Sequence, residues 1–176
     1  MRAVVAFAVL MGGCLVTDKM EFQAEPSCPP SISSKLGAEH PIESVSIVDR
    51  DADVPDAGMG ELKFEVVIRD CNTRQDLQWQ AFLDYRPEFG GRNVPFGGGT
   101  LAEAAVDERE LTFTLPFSAF GESVGVCHKV ELLVSGRFGF GPNLRDPEEE
   151  GDIDIAVWWV GVVDATVTTV DLGQCR

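Results

Sequence analysis

The sequence predicts an all-β protein, an antiparallel β-sandwich of about seven strands, and three observations point there. Runs of alternating apolar and polar residues recur along the chain. Stretches rich in Gly, Pro, Asn and Asp separate them. No segment carries a long helical apolar stripe. At 176 residues, 44% of them hydrophobic, the chain has one domain's length and enough apolar content to bury a core.

The elements follow in order. A weak first strand is expected over residues 44–48. Leu62, Phe64, Val66 and Ile68 alternate with Lys63, Glu65, Val67 and Arg69, the pattern of a half-buried strand. Leu77, Trp79, Ala81, Leu83 and Tyr85 form one face of the next strand, with Gln78, Gln80, Phe82 and Asp84 on the other. Leu111, Phe113 and Leu115 oppose Thr112 and Thr114, and Val126, His128, Val130, Leu132 and Val134 make a further face. Residues 153–163 are apolar at nearly every position, as in a strand covered on both sides. Turns are expected over residues 49–60, 71–76, 86–99, 116–125 and 137–151. Residues 101–109 suit one helical turn or a crossover strand. No internal repeat is present.

Charge narrows the partners. Fourteen basic residues against 29 acidic ones give a net charge of −15. Binding to phosphate needs a basic footprint, so no nucleic acid is expected as partner, nor docking to anionic lipid by charge.

The N-terminus reads Met1-Arg2, then apolar residues from Ala3 to Met11, then Gly12-Gly13-Cys14. The apolar run is well short of the ~20 residues of a spanning helix, and residues 1–13 are expected to be a signal peptide. Met11-Gly12-Gly13-Cys14 resembles the lipobox of bacterial lipoproteins, with Met11 in place of the usual Leu. That resemblance implies lipidation of Cys14, a mature chain that starts there, and a membrane partner reached through the lipid. Leu15 and Val16 follow the cysteine, where an Asp marks inner-membrane retention in many such proteins; by that analogy the outer membrane is the expected location. Residues 14–27, with Pro26 and scattered polar residues, are expected to be a tether, and residues 28–176 one sandwich domain.

With Cys14 lipidated, Cys28, Cys71, Cys127 and Cys175 remain, an even number suited to disulfides in an oxidising compartment. No two are spaced as a zinc hook. Strand count and Trp79 on the third strand resemble an immunoglobulin-like or fibronectin-type domain over residues 40–165. In that strand order the second and sixth strands run the same way, which sets Cys71 and Cys127 at opposite ends, beyond disulfide reach. Cys28 then falls beside Cys71 and Cys175 beside Cys127, giving Cys28–Cys71 and Cys127–Cys175 as the expected pairs. Each would contribute about 3–4 kcal/mol.

Few residues suggest chemistry. His128 is in phase with a core face and reads as a structural histidine; His40 is expected to be exposed. No G-x-S-x-G elbow and no H-E-x-x-H occur, so no catalytic residue and no cofactor is assigned. Asp49, Asp51 and Asp53 are spaced like the opening of a calcium loop. Val54 stands where that loop needs Gly, so a solvated acidic turn is the favoured reading. The acidic run of residues 146–152 reads the same way. The glycine-rich residues 89–99 precede no helix that could cradle phosphate. Arg137, Phe138 and Phe140 lie on the connection between the last two strands, where they either bind a partner or cap the sandwich. The expected function is a non-catalytic envelope lipoprotein that binds another envelope protein or a surface ligand, or serves as a structural accessory. An envelope hydrolase and a calcium-stabilised surface module are the alternatives.

Overall fold

The computed structural model describes residues 28–51, 60–85, 94–121, 123–139 and 144–175. These residues form eight strands and no α-helix: β1 (Ser31–Ser34), β2 (Val45–Asp49), β3 (Glu61–Arg69), β4 (Leu77–Leu83), β5 (Gly97–Leu101), β6 (Glu108–Pro116), β7 (Cys127–Ser135) and β8 (Ile153–Val163). One sheet runs β1-β3-β6 and the other β2-β8-β7-β4-β5. Each sheet has one apolar face, and burying both produces an immunoglobulin-like sandwich.

Alternation builds the core directly. Leu62, Phe64, Val66 and Ile68 of β3 and Leu111, Phe113 and Leu115 of β6 point inward and are buried. They meet Val130, Leu132 and Val134 of β7 and Ala156, Trp158, Val160 and Val162 of β8. Phe64 and Phe113 are register partners and stack at 5.0 Å; Trp158 meets Phe64 at 5.1 Å and Phe113 at 5.7 Å. The outer face of the smaller sheet is polar, tied by Lys35–Glu110 (2.7 Å), Lys63–Glu65 (3.1 Å) and Arg69–Glu108 (2.7 Å).

Several elements differ from the sequence-based expectation. Residues 31–34 form a strand, β1, although Ile32 is its sole apolar residue; β3 supplies the pairing. The expected first strand is β2, which runs parallel to β8 and not antiparallel. Residues 102–107 are loop, and Arg109 lies inside β6. Gly97, Gly98 and Gly99, expected in a turn, form β5 at the edge of the larger sheet. A Cβ on Gly99 would lie 3.1 Å from Trp79 Nε1, so the bare backbone lets the indole pack across the strand.

The outer face of the larger sheet is partly covered. Phe82 and Leu133 point outward, yet are buried under Phe138, with Tyr85 and Ile153 packed beside them. Tyr85 joins this outer cluster, meeting Phe82 edge-on at 5.6 Å, because Asp84 has φ +50° and breaks the alternation. β8 is not covered on both sides along its length: Ile155 is 45% exposed.

Cys28 is bonded to Cys71 and Cys127 to Cys175, with Cα separations of 5.9 and 5.4 Å. The first bridge joins the chain before β1 to the β3–β4 loop, and the second joins the start of β7 to the C-terminal tail. That tail leaves β8 through a turn in which Asp164 accepts hydrogen bonds from the Thr166 hydroxyl and the Val167 and Thr166 amides. These bonds, the hydroxyl first, hold the Asp164 carboxyl below its ordinary value of 3.8. A carboxyl depressed in the folded state stabilises it above the unfolded pKa, and that contribution is lost as pH falls through the lower folded value. An NMR titration should therefore place the Asp164 midpoint below 3.8, with the Thr166 and Val167 amide shifts following it.

Candidate functional site

At one end of the sandwich the β3–β4 loop and the β7–β8 connection converge. The β3–β4 loop is held from beneath. Arg109, inward-facing on β6, sits 3.2 Å from Asp70 Oδ2, and both side chains are buried. The same guanidinium donates to the carbonyls of Leu101 (3.2 Å) and Asn72 (3.4 Å), while Asp70 Oδ1 accepts the Asn72 amide at 2.9 Å. Asn72 Nδ2 in turn donates to Gln75 Oε1 at 2.6 Å. The Cys28–Cys71 bridge pins the loop's first turn.

The β7–β8 connection is tied as firmly. Ser135 Oγ donates to the Arg137 carbonyl (2.9 Å) and accepts the Arg137 amide (3.1 Å). The Gly136 amide donates to Asp152 Oδ2 at 2.9 Å, and the Phe138 amide to Gln78 Oε1 at 3.0 Å. A Cβ at Gly136 would fall 2.0 Å from Gln75 Nε2 and 2.5 Å from Asp152 Oδ2, so glycine is what lets the two loops close on each other here. Further along, Arg145 reaches back over the sheet, with its guanidinium 3.9 Å from the Tyr85 ring centre and 2.7 Å from Glu131 Oε2.

Between the loops lies an open cavity of about 500 Å³, lined by Gln75, Asp76, Gln78, Thr100, Arg137, Glu148, Glu149 and Asp152. Four carboxylates face one guanidinium, and Arg137 is 3.4 Å from Glu148. Side-chain amides and the Thr100 hydroxyl supply both donors and acceptors. The chemistry offered is polar recognition with negative charge in excess. Among the described residues, no group of three His, Cys, Asp or Glu side chains is placed to hold a metal ion.

Of the residues singled out from sequence, Arg137 is on this cavity and exposed. Phe138 is buried against Phe82 and Leu133, so its ring covers the sheet face; Phe140 lies outside the described residues. Asp49 accepts the Asp51 amide and Asp51 the Ala165 amide, so both carboxylates serve the local turn; Asp53 lies outside the described residues, as does Cys14. Against expectation His40 is buried. Its Nδ1 is 2.9 Å from Ser46 Oγ, and its ring packs 5.6 Å from Phe64. That serine–histidine pair is a core hydrogen bond. His128 is buried too, with Nδ1 2.7 Å from Asp84 Oδ2 and its ring against Phe120 at 4.9 Å. Gln78, Thr100 and Asp152 were missed as site residues because they sit on or beside strands, and only the fold brings them to the loops.

No family model matches the chain, and no curated protein matches it. Among solved structures it is similar to the CARDB domain of a Pyrococcus furiosus protein in complex with di-metal ions. That likeness has a TM-score of 0.40 and 12% identity over 78% of this chain and 93% of the other. It is also similar to part of a β-glucosidase from Listeria innocua in complex with isofagomine, with a TM-score of 0.42 and 15% identity over 78% of this chain. This chain spans only 17% of that enzyme. Likeness this slight carries no argument about ligand or activity, and the fold is established by the sheet order itself.

The loop end depends on a buried ion pair, and that dependence can be measured. Asp70→Ala leaves the Arg109 guanidinium buried without its counter-charge and should cost about 3–5 kcal/mol in urea unfolding. Replacing both partners, as Asp70→Leu with Arg109→Met, should cost far less than the single change.

Proposed function

We propose that the chain is a non-catalytic, lipid-anchored module of a bacterial cell envelope that binds another envelope component through its loop end. The observation that carries this reading is the convergence of two independently braced loops on one polar cavity. Rigid loops of this kind lose little conformational entropy on binding, which favours recognition.

The anchor is supported by the Met1–Cys14 pattern and by cysteine use. The four other cysteines are all engaged in disulfides, which leaves Cys14 for the lipid. The bridge from Cys28 to Cys71 has a further consequence. A tether leading from Cys14 would join the domain at the loop end, so the cavity would face the membrane. Thirteen residues lie between Cys14 and Cys28, the length of the proposed tether. The partner in this reading is a membrane-resident neighbour, and the outer membrane is the proposed location.

Two measurements test the proposal. The intact mass of protein recovered from membranes should correspond to a chain starting at Cys14 with acyl groups attached. An unacylated chain that retains Met1 would overturn the anchor. A photo-crosslinking residue placed at Thr100 or Arg137 in living cells should capture a specific partner. The same residue at Lys63, on the opposite face, should not. Equal labelling at all three positions would remove the loop end as the binding site.

A further inference from the structure

A chain held in a membrane through Cys14 and gripped by a partner at its loop end is drawn upon whenever lipid and partner drift apart. The pull reaches the described structure at Cys28. The first element beyond that point is a weak one. β1 has four residues, of which Ile32 alone is apolar, and Ile32 is half-buried. It pairs with β3 from Ser31–Arg69 to Ser34–Val66. Its further ties are the Ile32 amide on Asp154 Oδ2 at 2.6 Å and the Lys35 amide on the Glu65 carbonyl at 3.2 Å. With so little apolar area buried, a few hydrogen bonds worth about 1 kcal/mol net each oppose its removal. Behind β1 lies the segment that changes sheets. There the Ile42 amide donates to Ser34 Oγ, and the His40 carbonyl accepts the Trp158 indole N–H at 2.8 Å. A pull that drew β1 out from its N-terminus would come next upon the bond that ties this segment to the core.

The Cys28–Cys71 bridge offers another route. Cys71 directly follows Asp70 at the end of β3, with a Cα separation of 5.9 Å from Cys28. β3 is paired on both sides, by β1 and β6, and buries Leu62, Phe64, Val66 and Ile68. On the other side of Cys71 the loop is braced by Asn72 on Gln75 and, from beneath, by Asp70 on Arg109. It then supplies Gln75 and Asp76 to the wall of the cavity. The covalent path from Cys28 to that wall therefore runs across the bridge and along the chain from Cys71 to Gln75. It leaves out residues 29–70, and with them β1, the crossing, β2 and β3.

We propose that the Cys28–Cys71 bridge is a strap that passes tension from the anchor straight into the β3–β4 loop and keeps it out of the β1–β2 crossing. Its use rests on the anchored, loop-end reading of function; its mechanics do not, so they are measured without lipid or partner. The second bridge encloses residues 128–174 in the same way. Pulled end to end, the oxidised domain can then release only the chain between Cys71 and Cys127.

The test holds the unlipidated full chain in optical tweezers. One handle is attached to the Cys14 thiol and the other to an azide-bearing residue in place of Arg74, which is exposed and off the cavity wall. With the bridge closed, no unfolding step should appear. In the double variant Cys28→Ser with Cys71→Ser, β1 should pull away and free the 43-residue separation, a lengthening of up to about 150 Å. That step should come at lower force than the intact chain needs to unfold when pulled between Cys14 and Arg176. The intact chain should then lengthen by up to about 200 Å, the stretch from Cys71 to Cys127 alone. Adding a phosphine reductant to the unmodified bridge at constant force should produce the shorter lengthening too, which covers a double variant that fails to fold. A step of about 150 Å with the bridge closed would overturn the proposal. So would a reduced or substituted chain that holds to the force of the intact one, because β1 then carries the tension unaided. Neither result touches the lipid or the partner; a mass without acyl groups would remove the source of tension and leave these lengths as they are.

Discussion

The indole of Trp158 is the largest fully buried side chain in the described structure, and its N–H has to find an acceptor inside the core. It donates to the carbonyl of His40 at 2.8 Å. That bond fixes the segment in which the chain leaves β1 in one sheet and reaches β2 in the other. The segment is braced further by His40 Nδ1 on Ser46 Oγ and by the Ile42 amide on Ser34 Oγ, at 2.9 and 2.8 Å. Because the chain crosses here, β2 can run parallel to β8, and Phe64 and Phe113 have an aromatic partner across the core. A smaller residue at 158 would open a cavity and also orphan the His40 carbonyl, so packing and hydrogen bonding fail together.

The two outer faces are used differently. The smaller sheet turns threonines and ion pairs to solvent, which is what its strict alternation dictates. The larger sheet carries apolar residues on its outer face and covers them with its own loops. The β7–β8 connection folds down over Phe82 and Leu133, and in doing so it is drawn taut beside the β3–β4 loop. The polar cavity therefore follows from the burial of Phe138: the residue that shields the sheet sets the position of Arg137 next to it.

Much of this was legible because alternation reports a sheet with one wet face. Phe64, Val66, Phe113 and Leu115 could be assigned inward from spacing alone. The reading failed where a strand's identity comes from its neighbour. Ser31–Ser34 has one apolar residue and is a strand because β3 offers an edge, and Gly97–Leu101 is one because Trp79 lies across its glycines. Phe82 read as outward and was, but the alternation could not show that Phe138 would bury it. His40 sat among polar residues and was expected outside; its place in the core follows from Trp158 needing its carbonyl. At the loop end, Arg137 could be marked in advance. Gln78, Thr100 and Asp152 could not, since their proximity depends on register between β4, β5 and β7.

The most direct measurement of the crossing constraint is native-state hydrogen exchange of the Trp158 indole proton by NMR, with Trp79 and Trp159 as internal comparisons. The expected result is that the Trp158 proton exchanges only through global unfolding, with the same opening free energy and the same denaturant dependence as the slowest backbone amides of β3 and β7. Exchange of that proton through a local opening, while the β3 and β7 amides stay protected, would show that the β1–β2 crossing comes apart without the core, and would contradict its place as the constraint on which the sandwich depends.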